Sequence, residues 1–416
     1  MQKDVVVIGG GIIGLFSAYY LRLDGHDVTL IDRGDFNSGC SHQNAGMIVP
    51  SHLVPLASPG MITQGIKWMF NPKSPFYIKA GFNKDLIRWG NQFRKASTEA
   101  HVQNSIPALH DLSLYSKSLY QQLATQEDLF RYREDGLLML YQSNKSGKEE
   151  IEAAEIAINA GLRVSILSQS QVEELEPQAK PKIIGGVLYH SDAHLDPQKL
   201  MRFLRAKVEQ MGVDLQPHTE VKDLELRGNQ IETIITSKGE IKAREIVLAG
   251  GAWNAVLAKK LNLDLSLMPG KGYSFTTSTM VNSPTIPSIL CEGKVAVSPL
   301  GNKVRFGGTM EITRLNDDKI NLKRVAGIVE TIQEFYPDLK IEMPEEKEIW
   351  YGFRPCSPDG LPYLGRSKKV SNLTIAGGHA MMGLSLAPAS GKIVSDLISS
   401  KNPVVNLQMF EPEREI

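Results

Sequence analysis

Residues 5–21 run for seventeen positions without a charge, and four of those positions are glycine. A signal-peptide core or a short membrane helix would share the first property but not the second, and Asp4 stands where a signal carries basic residues. The run divides instead. Val5-Val6-Val7-Ile8 is a β-branched stretch suited to a buried parallel strand. It leads directly into Gly9-Gly10-Gly11-Ile12-Ile13-Gly14, a G-x-G-x-x-G, and then into a helix-like segment ending near Leu23. Asp24-Gly25-His26 turns the chain, and residues 27–31 supply a second strand that ends at Asp32. In such a unit Gly9 allows the tight turn, Gly11 lets a pyrophosphate approach the backbone, and Gly14 lets helix and strand pack closely. The helix start offers free N–H groups and the positive end of its dipole to the phosphates. An acid eighteen residues past Gly14 suits an unphosphorylated ribose, so the unit predicts FAD or NAD rather than NADP.

A chain of 416 residues exceeds one ordinary domain of roughly 100–200 residues, so two lobes are expected. The 46 basic and 46 acidic residues cancel, and no Lys/Arg cluster stands out, which argues against a nucleic-acid partner. Three dispersed cysteines, Cys40, Cys291 and Cys356, exclude a disulfide framework and lack metal-ligand spacing. They fit a reducing compartment, and a cytoplasmic protein without a metal is expected.

Pro/Gly-rich residues 50–60 and 71–81 read as loops, and residues 84–125, 146–161 and 169–175 as helices. Residues 136–141 read as a strand. Asp196-Pro197 starts a helix that runs to about Met211, with an N-cap acid and a proline at the first helical position. Turns are expected at Gly228-Asn229 and Lys238-Gly239. A strand over residues 244–249 leads into Gly250-Gly251 and another helix. Further strands are expected at 270–276, 294–298 and 303–311, with a helix over 320–336. This uneven alternation predicts a nucleotide lobe interrupted by a β-rich lobe.

Two C-terminal segments carry further chemistry. Residues 352–365, rich in proline and glycine, read as a rigid turn-rich loop that aims Arg354. That arginine forms either a bidentate pair with a substrate carboxylate or an internal ion pair. Residues 372–385 read as a strand, the turn Gly377-Gly378-His379, and a helix beginning near Gly383. Such a helix start would stabilise an anionic reduced flavin; the alternative is a purely structural turn.

Five motifs in order resemble the FAD-dependent D-amino acid oxidase superfamily. They are the fingerprint ending in Asp32-Arg33, Ser41-His42-Gln43-Asn44-Ala45-Gly46, Gly270-Lys271-Gly272-Tyr273-Ser274, Gly352-Phe353-Arg354-Pro355, and Gly378-His379 through Gly383. Within that superfamily the chain is most similar to the small subunit of bacterial D-amino acid dehydrogenase, with glycine oxidase next. The resemblance spans nearly the whole chain and is weakest between about 145 and 215. It implies an α/β and α+β fold, with a discontinuous Rossmann-like FAD-binding domain (1–52, 146–262 and 350–416). A β-rich substrate-binding domain would comprise 53–145 and 263–349.

The resemblance also implies roles. Gly9, Gly11, Gly14, Asp32 and Arg33 would hold the ADP half of FAD. Ser41, Asn44, Ala45, Gly46 and Met47 would line the pyrophosphate and the flavin ring. Val221 would meet the adenine side, Ala249 and Gly250 would pass close by, and Gly378, Gly383, Leu384 and Ser385 would contact the ring. Arg354 would bind the substrate carboxylate, with Tyr273 bordering the substrate. The cysteine that carries covalent flavin in the sarcosine-oxidase branch is replaced here by Gly352, so noncovalent FAD is expected, with Cys356 structural.

Met381 and Met382 stand where glycine oxidase has an extra arginine, which removes a second cation and suggests a soft apolar wall. His42 and His379 each read as a pocket residue or a hydrogen-bonded structural histidine. The expected reaction, in amino acid catabolism, is oxidation of a D-amino acid to the imino acid, with a cyclic one such as a D-proline or hydroxy-D-proline as the candidate. Electrons would pass to a quinone or other carrier. The alternatives are a glycine/sarcosine-type oxidase using oxygen, an NAD-dependent dehydrogenase, and a flavin-bound redox-partner subunit without its own substrate. Trp68 and Phe70 would either graze the inner face of the cell membrane or anchor a loop. Nothing in the sequence signals an oligomeric state.

Overall fold

The computed structural model describes residues 2–69, 71, 73–79, 84–127 and 129–416. The N-terminal run is the central strand of a six-stranded sheet, Lys3–Ile8. From one edge the order is Tyr363–Arg366, Leu373–Gly377, Ala243–Leu248, Lys3–Ile8, Val28–Ile31 and Asp214–Gln216, all parallel neighbours except the first pair. Both faces are covered. Val5 and Val7 pack beneath the helices Ile12–Leu23, Pro197–Gln210 and Ala387–Ile398. Val6 and Ile8 meet the three-stranded antiparallel sheet Val221–Arg227, Gln230–Thr236 and Gly239–Ile241, together with the helix Asn254–Lys260. A strand buried on both sides needs no polar alternation, which is why its sequence is an unbroken apolar run.

The second sheet has nine strands, in the order Trp350–Cys356, Met268–Ser278, Lys303–Ile312, Val295–Pro299, Ser288–Leu290, Leu137–Tyr141, Gly185–Tyr189 and Val164–Ser168, with Phe76–Ile78 also paired to Lys303–Ile312. One face packs on the helix Leu322–Phe335 through Phe275, Phe306, Ile328 and Ile332. The opposite face looks toward the first sheet.

Several expectations are corrected here. The helical stretch 84–125 divides into Lys84–Ala96 and Glu99–Gln126, because Thr98 turns extended and caps the second helix by accepting from His101 N. Within 71–81, Phe76–Ile78 is a strand rather than loop. Trp350–Cys356 is also a strand, so Arg354 stands on sheet rather than loop. Its edge position explains how Pro355 is tolerated there. The last helix begins at Ala387, not near Gly383, and residues 379–386 form bridge and turn structure before it. Val164–Ser168, Gly185–Tyr189 and Trp350–Cys356, expected in the nucleotide lobe, hydrogen-bond into the nine-stranded sheet. Among the described residues no helix is long and apolar enough to cross a membrane, and no His/Cys/Asp/Glu group is arranged to hold a metal.

The three cysteines are free. Burial pushes the Cys356 thiol up to about 12 and raises Cys291 and Cys40 as well. Thiolate is the reactive form, so none of the three should react quickly with a disulfide reagent at neutral pH, and all three should after denaturation. Rapid labelling of native Cys356 would show that its surroundings open.

Candidate active site

A cavity of about 970 Å³ lies between the two sheets and takes lining from both. Its nucleotide end is built from the first strand–helix turn. Gly9 has φ +112°, and a Cβ there would sit 2.5 Å from Ala249 O. A Cβ on Gly14 would sit 1.8 Å from Gly9 O, so this residue sets how closely the helix approaches the strand. Gly11 differs. Its φ is −72° and a Cβ would meet only Ser41 Oγ at 3.6 Å, leaving open space directly before the helix start. That opening has the shape a pyrophosphate needs. The lining extends from it toward Val221 in one direction and toward Asn44, Ala45, Met47, Gly383 and Leu384 in the other, as a long two-ended cofactor requires.

Of the residues expected to hold that cofactor, Gly9, Gly11, Asp32, Arg33, Ser41, Asn44, Ala45, Met47, Val221, Ala249, Gly250, Gly383 and Leu384 line the cavity. Gly14, Gly46, Gly378 and Ser385 stand behind it. Gly46 has φ +81° and backs onto Leu195 O, and Gly378 has φ +75° and backs onto Tyr363. Ser385 Oγ accepts from Val49 N at 2.9 Å, bracing the strand that carries Met47. Asp32 accepts from Gly10 N and Gly34 N, each at 2.6 Å, which fixes its carboxylate at the turn. The Arg33 guanidinium lies 3.6 Å over the Trp253 ring, a wall that motif reading did not identify.

At the other end Arg354 lies across Gly272, where a Cβ would come within 2.0 Å of Nη1. Nη1 donates to Thr309 O at 2.8 Å. Among the described residues Arg354 forms no ion pair; burial lowers its pKa, and only the Cys356 and Cys40 thiols oppose that. The internal ion-pair reading of Arg354 therefore fails. Thr309 adopts φ +61°, a strained geometry for a β-branched residue, and among the described residues its buried hydroxyl has no partner. Tyr273 reaches the lining, but its hydroxyl donates to Glu311 Oε2 at 3.4 Å and accepts from Asn321 N at 3.2 Å, which leaves it poorly placed to bind a carboxylate.

The two doubtful histidines separate. His379 lines the cavity, hydrogen-bonds Ser390 Oγ at 2.9 Å and is held by burial at a pKa of about 4, so it is neutral at physiological pH. His42 is buried outside the lining, and among the described residues its Nδ1 has no hydrogen-bond partner. Met381, Met382 and Trp68 line the cavity, while Phe70 lies outside the described residues. Sequence reading missed Arg305, only 3% exposed, which donates to Asn44 O at 2.7 Å and to Thr276 Oγ1 at 3.2 Å. It ties the cofactor-facing loop to the nine-stranded sheet. No spacing signal marks an arginine that works by pairing two distant segments.

Comparison with known proteins bears on the family and the fold. A family profile described as FAD dependent oxidoreductase matches residues 4–397. The D-amino acid dehydrogenase of Helicobacter pylori (strain ATCC 700392 / 26695) is 34% identical over 398 residues, 95% of each chain. That of Vibrio atlanticus (strain LGP32) is 32% identical over 405 residues, 95% of this chain and 96% of the other. Among solved structures, glycine oxidase from Geobacillus kaustophilus superposes with TM-score 0.80 at 23% identity, covering 100% and 99% of the chains. L-proline dehydrogenase from P. horikoshii gives 0.77 at 20% identity, covering 99% and 97%. These two share the fold.

Proposed function

Because the chain belongs to the family of FAD-dependent oxidoreductases, we propose that it is a D-amino acid dehydrogenase. The six-stranded layer is then the cofactor lobe and the nine-stranded layer the substrate lobe. Gly9, Gly11, Asp32, Arg33 and Ser41 hold the ADP and pyrophosphate, while Asn44, Ala45, Met47, Gly383 and Leu384 face the flavin ring. FAD, when bound, supplies the acceptor for a hydride. With Gly352 at the position of the covalent cysteine and Cys356 fully buried, the cofactor is held noncovalently.

The observation that carries this reading is Arg354, a cation in the lining with no acid among the described residues to neutralise it. It holds the substrate carboxylate, and the unpartnered Thr309 hydroxyl offers a second polar contact. Fixing the carboxylate orients the α-hydrogen, and orientation supplies much of the rate. A hydride leaves from an amine in its neutral form; the lining histidines His379 and His52, both held near pKa 4 by burial, are themselves neutral at physiological pH and add no cation beside it. The substrate loses the α-hydrogen with its electron pair and an amine proton, giving the imino acid. Water converts an acyclic imino acid to the 2-oxo acid and releases ammonia. A cyclic substrate such as D-proline or hydroxy-D-proline fits the end bounded by Arg354 and the methionines.

Electrons pass on to a quinone or other carrier, in keeping with the dehydrogenases it resembles, and the protein works in the cytoplasm or at the inner membrane face. A panel of D- and L-amino acids added anaerobically to the yellow holoprotein tests this. D-isomers should bleach the flavin, and artificial dye should be reduced faster than oxygen is consumed. Bleaching by glycine or sarcosine alone, with rapid oxygen uptake, would replace this reading by an amine oxidase. No bleaching by any amine would favour a redox-partner subunit.

A further inference from the structure

Just past the cofactor-facing strand, three polar residues stand in one hydrogen-bonded line. Ser51 N donates to Asp192 Oδ1 at 3.0 Å, and Ser51 Oγ donates to Asp192 Oδ2 at 2.5 Å. The same Oγ lies 3.2 Å from His52 Nδ1. Ser51 and His52 line the cavity, whereas Asp192 is fully buried behind them. Strand pairing builds the line: Met47 pairs with His194 and Ile48 with Ala193, which brings the residues after Ile48 alongside Asp192. Met47, Val49 and Leu53 pack in one cluster with Met139, and Met382 from the substrate end packs against it. The wall that carries His52 therefore joins the cofactor-facing strand to the substrate end.

A serine hydroxyl has one hydrogen to give. While Asp192 is ionised, Ser51 gives it to the carboxylate, so the contact between Oγ and His52 Nδ1 must use a hydrogen on the ring. Nε2 is then a bare lone pair, and among the described residues nothing bonds to it. Burial raises the Asp192 carboxyl to about 7, against the two bonds from Ser51 and the Lys117 ammonium. Burial and the Lys294 ammonium hold His52 at about 4. A proton that enters at Nε2 therefore settles on Asp192. The surrounding charges are already engaged. Lys117, on the helix Glu99–Gln126, donates to Glu134 Oε2 at 3.1 Å, and Lys294, in the turn after Ser288–Leu290, pairs with Glu150 at 3.5 Å. Tyr189, at the end of its strand, is kept neutral by burial and by the Glu150 and Asp192 charges.

We propose that His52, Ser51 and Asp192 form a proton relay that takes one proton from the substrate's ammonium group before the hydride leaves. The ammonium proton passes to His52 Nε2, the Nδ1 hydrogen to Ser51 Oγ, and the Ser51 hydrogen to Asp192 Oδ2. The amine is left with a lone pair. The α-hydrogen then departs with its electron pair to FAD, and the nitrogen lone pair closes the C=N bond. After product release the transfers run backwards, which returns the proton to water and resets the imidazole. The inference rests on the function proposed above, since the D-amino acid is the proton source and FAD the oxidant.

The pH profile of the holoenzyme tests the relay. Wild-type kcat/KM should rise with pH through about 7, where Asp192 loses its proton and can accept another. In Asp192→Asn and in Ser51→Ala the rise should move up by about two pH units, to the ionisation of the free substrate amine. At pH 7 these variants should lose about a hundredfold, the low end for removing a positioned base, and should recover at high pH. Their FAD content and melting temperature should be unchanged. Ser51→Thr keeps a hydroxyl and should retain the wild-type profile. The infrared band of a protonated carboxyl needs no turnover: it should titrate near pH 7 in wild type and vanish in Asp192→Asn. An unshifted profile in both variants, or a loss equal at every pH, would overturn the relay and leave the line a structural brace. Should neither variant fold, the wild-type carboxyl band decides: titration near pH 7 supports the relay, and its absence overturns it. No bleaching by any D-amino acid at any pH would instead overturn the D-amino acid reading, and the relay with it.

Discussion

Arg354→Ala is expected to lower kcat/KM for every D-amino acid by two to three orders of magnitude, mainly through KM. Truncating one member of a buried charge pair costs about 2–5 kcal/mol, and each 1.4 kcal/mol is roughly tenfold. The full cost should fall on the substrate because no acid among the described residues shares this guanidinium. Among the described residues its side chain hydrogen-bonds only the carbonyl of Thr309, so the variant should keep its FAD and its melting temperature. Arg354→Lys should recover part of the loss, since an ammonium supplies charge without the two-pronged geometry. Steady-state kinetics beside a thermal melt separates these outcomes. Near-normal KM in Arg354→Ala would remove this residue from the carboxylate site.

The second large effect concerns the glycine turn, where two neighbouring alanine substitutions should fail in different ways. In Gly14→Ala the new methyl meets Gly9 O at 1.8 Å, a clash of backbone with backbone that only moving the helix can relieve. That protein should be insoluble, or colourless with a lowered melting temperature. In Gly11→Ala the methyl enters open space at an ordinary φ, so the apoprotein should melt within a few degrees of wild type. The same methyl occupies the pyrophosphate approach, and FAD affinity measured by fluorescence should fall by about a hundredfold or more, as a clash of about 3 kcal/mol implies. Unchanged FAD binding in Gly11→Ala would show that the cofactor lies elsewhere.

Local patterns were legible where the physics is local. The strand, glycine turn, helix and second strand of residues 3–31 follow from β-branching, glycine spacing and a terminal acid. The Pro197–Gln210 helix follows from its Asp196 cap, whose carboxylate accepts from Gln198 N and Lys199 N. What escaped was pairing. Trp350–Cys356 looks like a loop by composition, and becomes a strand because Met268–Ser278 lies beside it in register. Lys303–Ile312 pairs with Met268–Ser278 on one side and Val295–Pro299 on the other, and no window of sequence aligns them. Tyr273 was placed at the substrate by its motif, yet Glu311, hidden from any local pattern, takes up its hydroxyl. Thr309 gave no warning, since its positive φ accompanies a register shift between Lys303–Ile312 and Met268–Ser278.

The six-stranded sheet has a bearing on how the protein is made. Its centre, Lys3–Ile8, is synthesised well before the parallel neighbour Ala243–Leu248, which lies about 240 residues further along, and before Leu373–Gly377, about 370 residues further along. During elongation at roughly 5–20 residues per second, the nascent N-terminal strand therefore waits on the order of ten seconds or longer with an unpaired edge. A cavity lined by Gly9, Ala249 and Gly383 together cannot close around a cofactor until all three segments have been made.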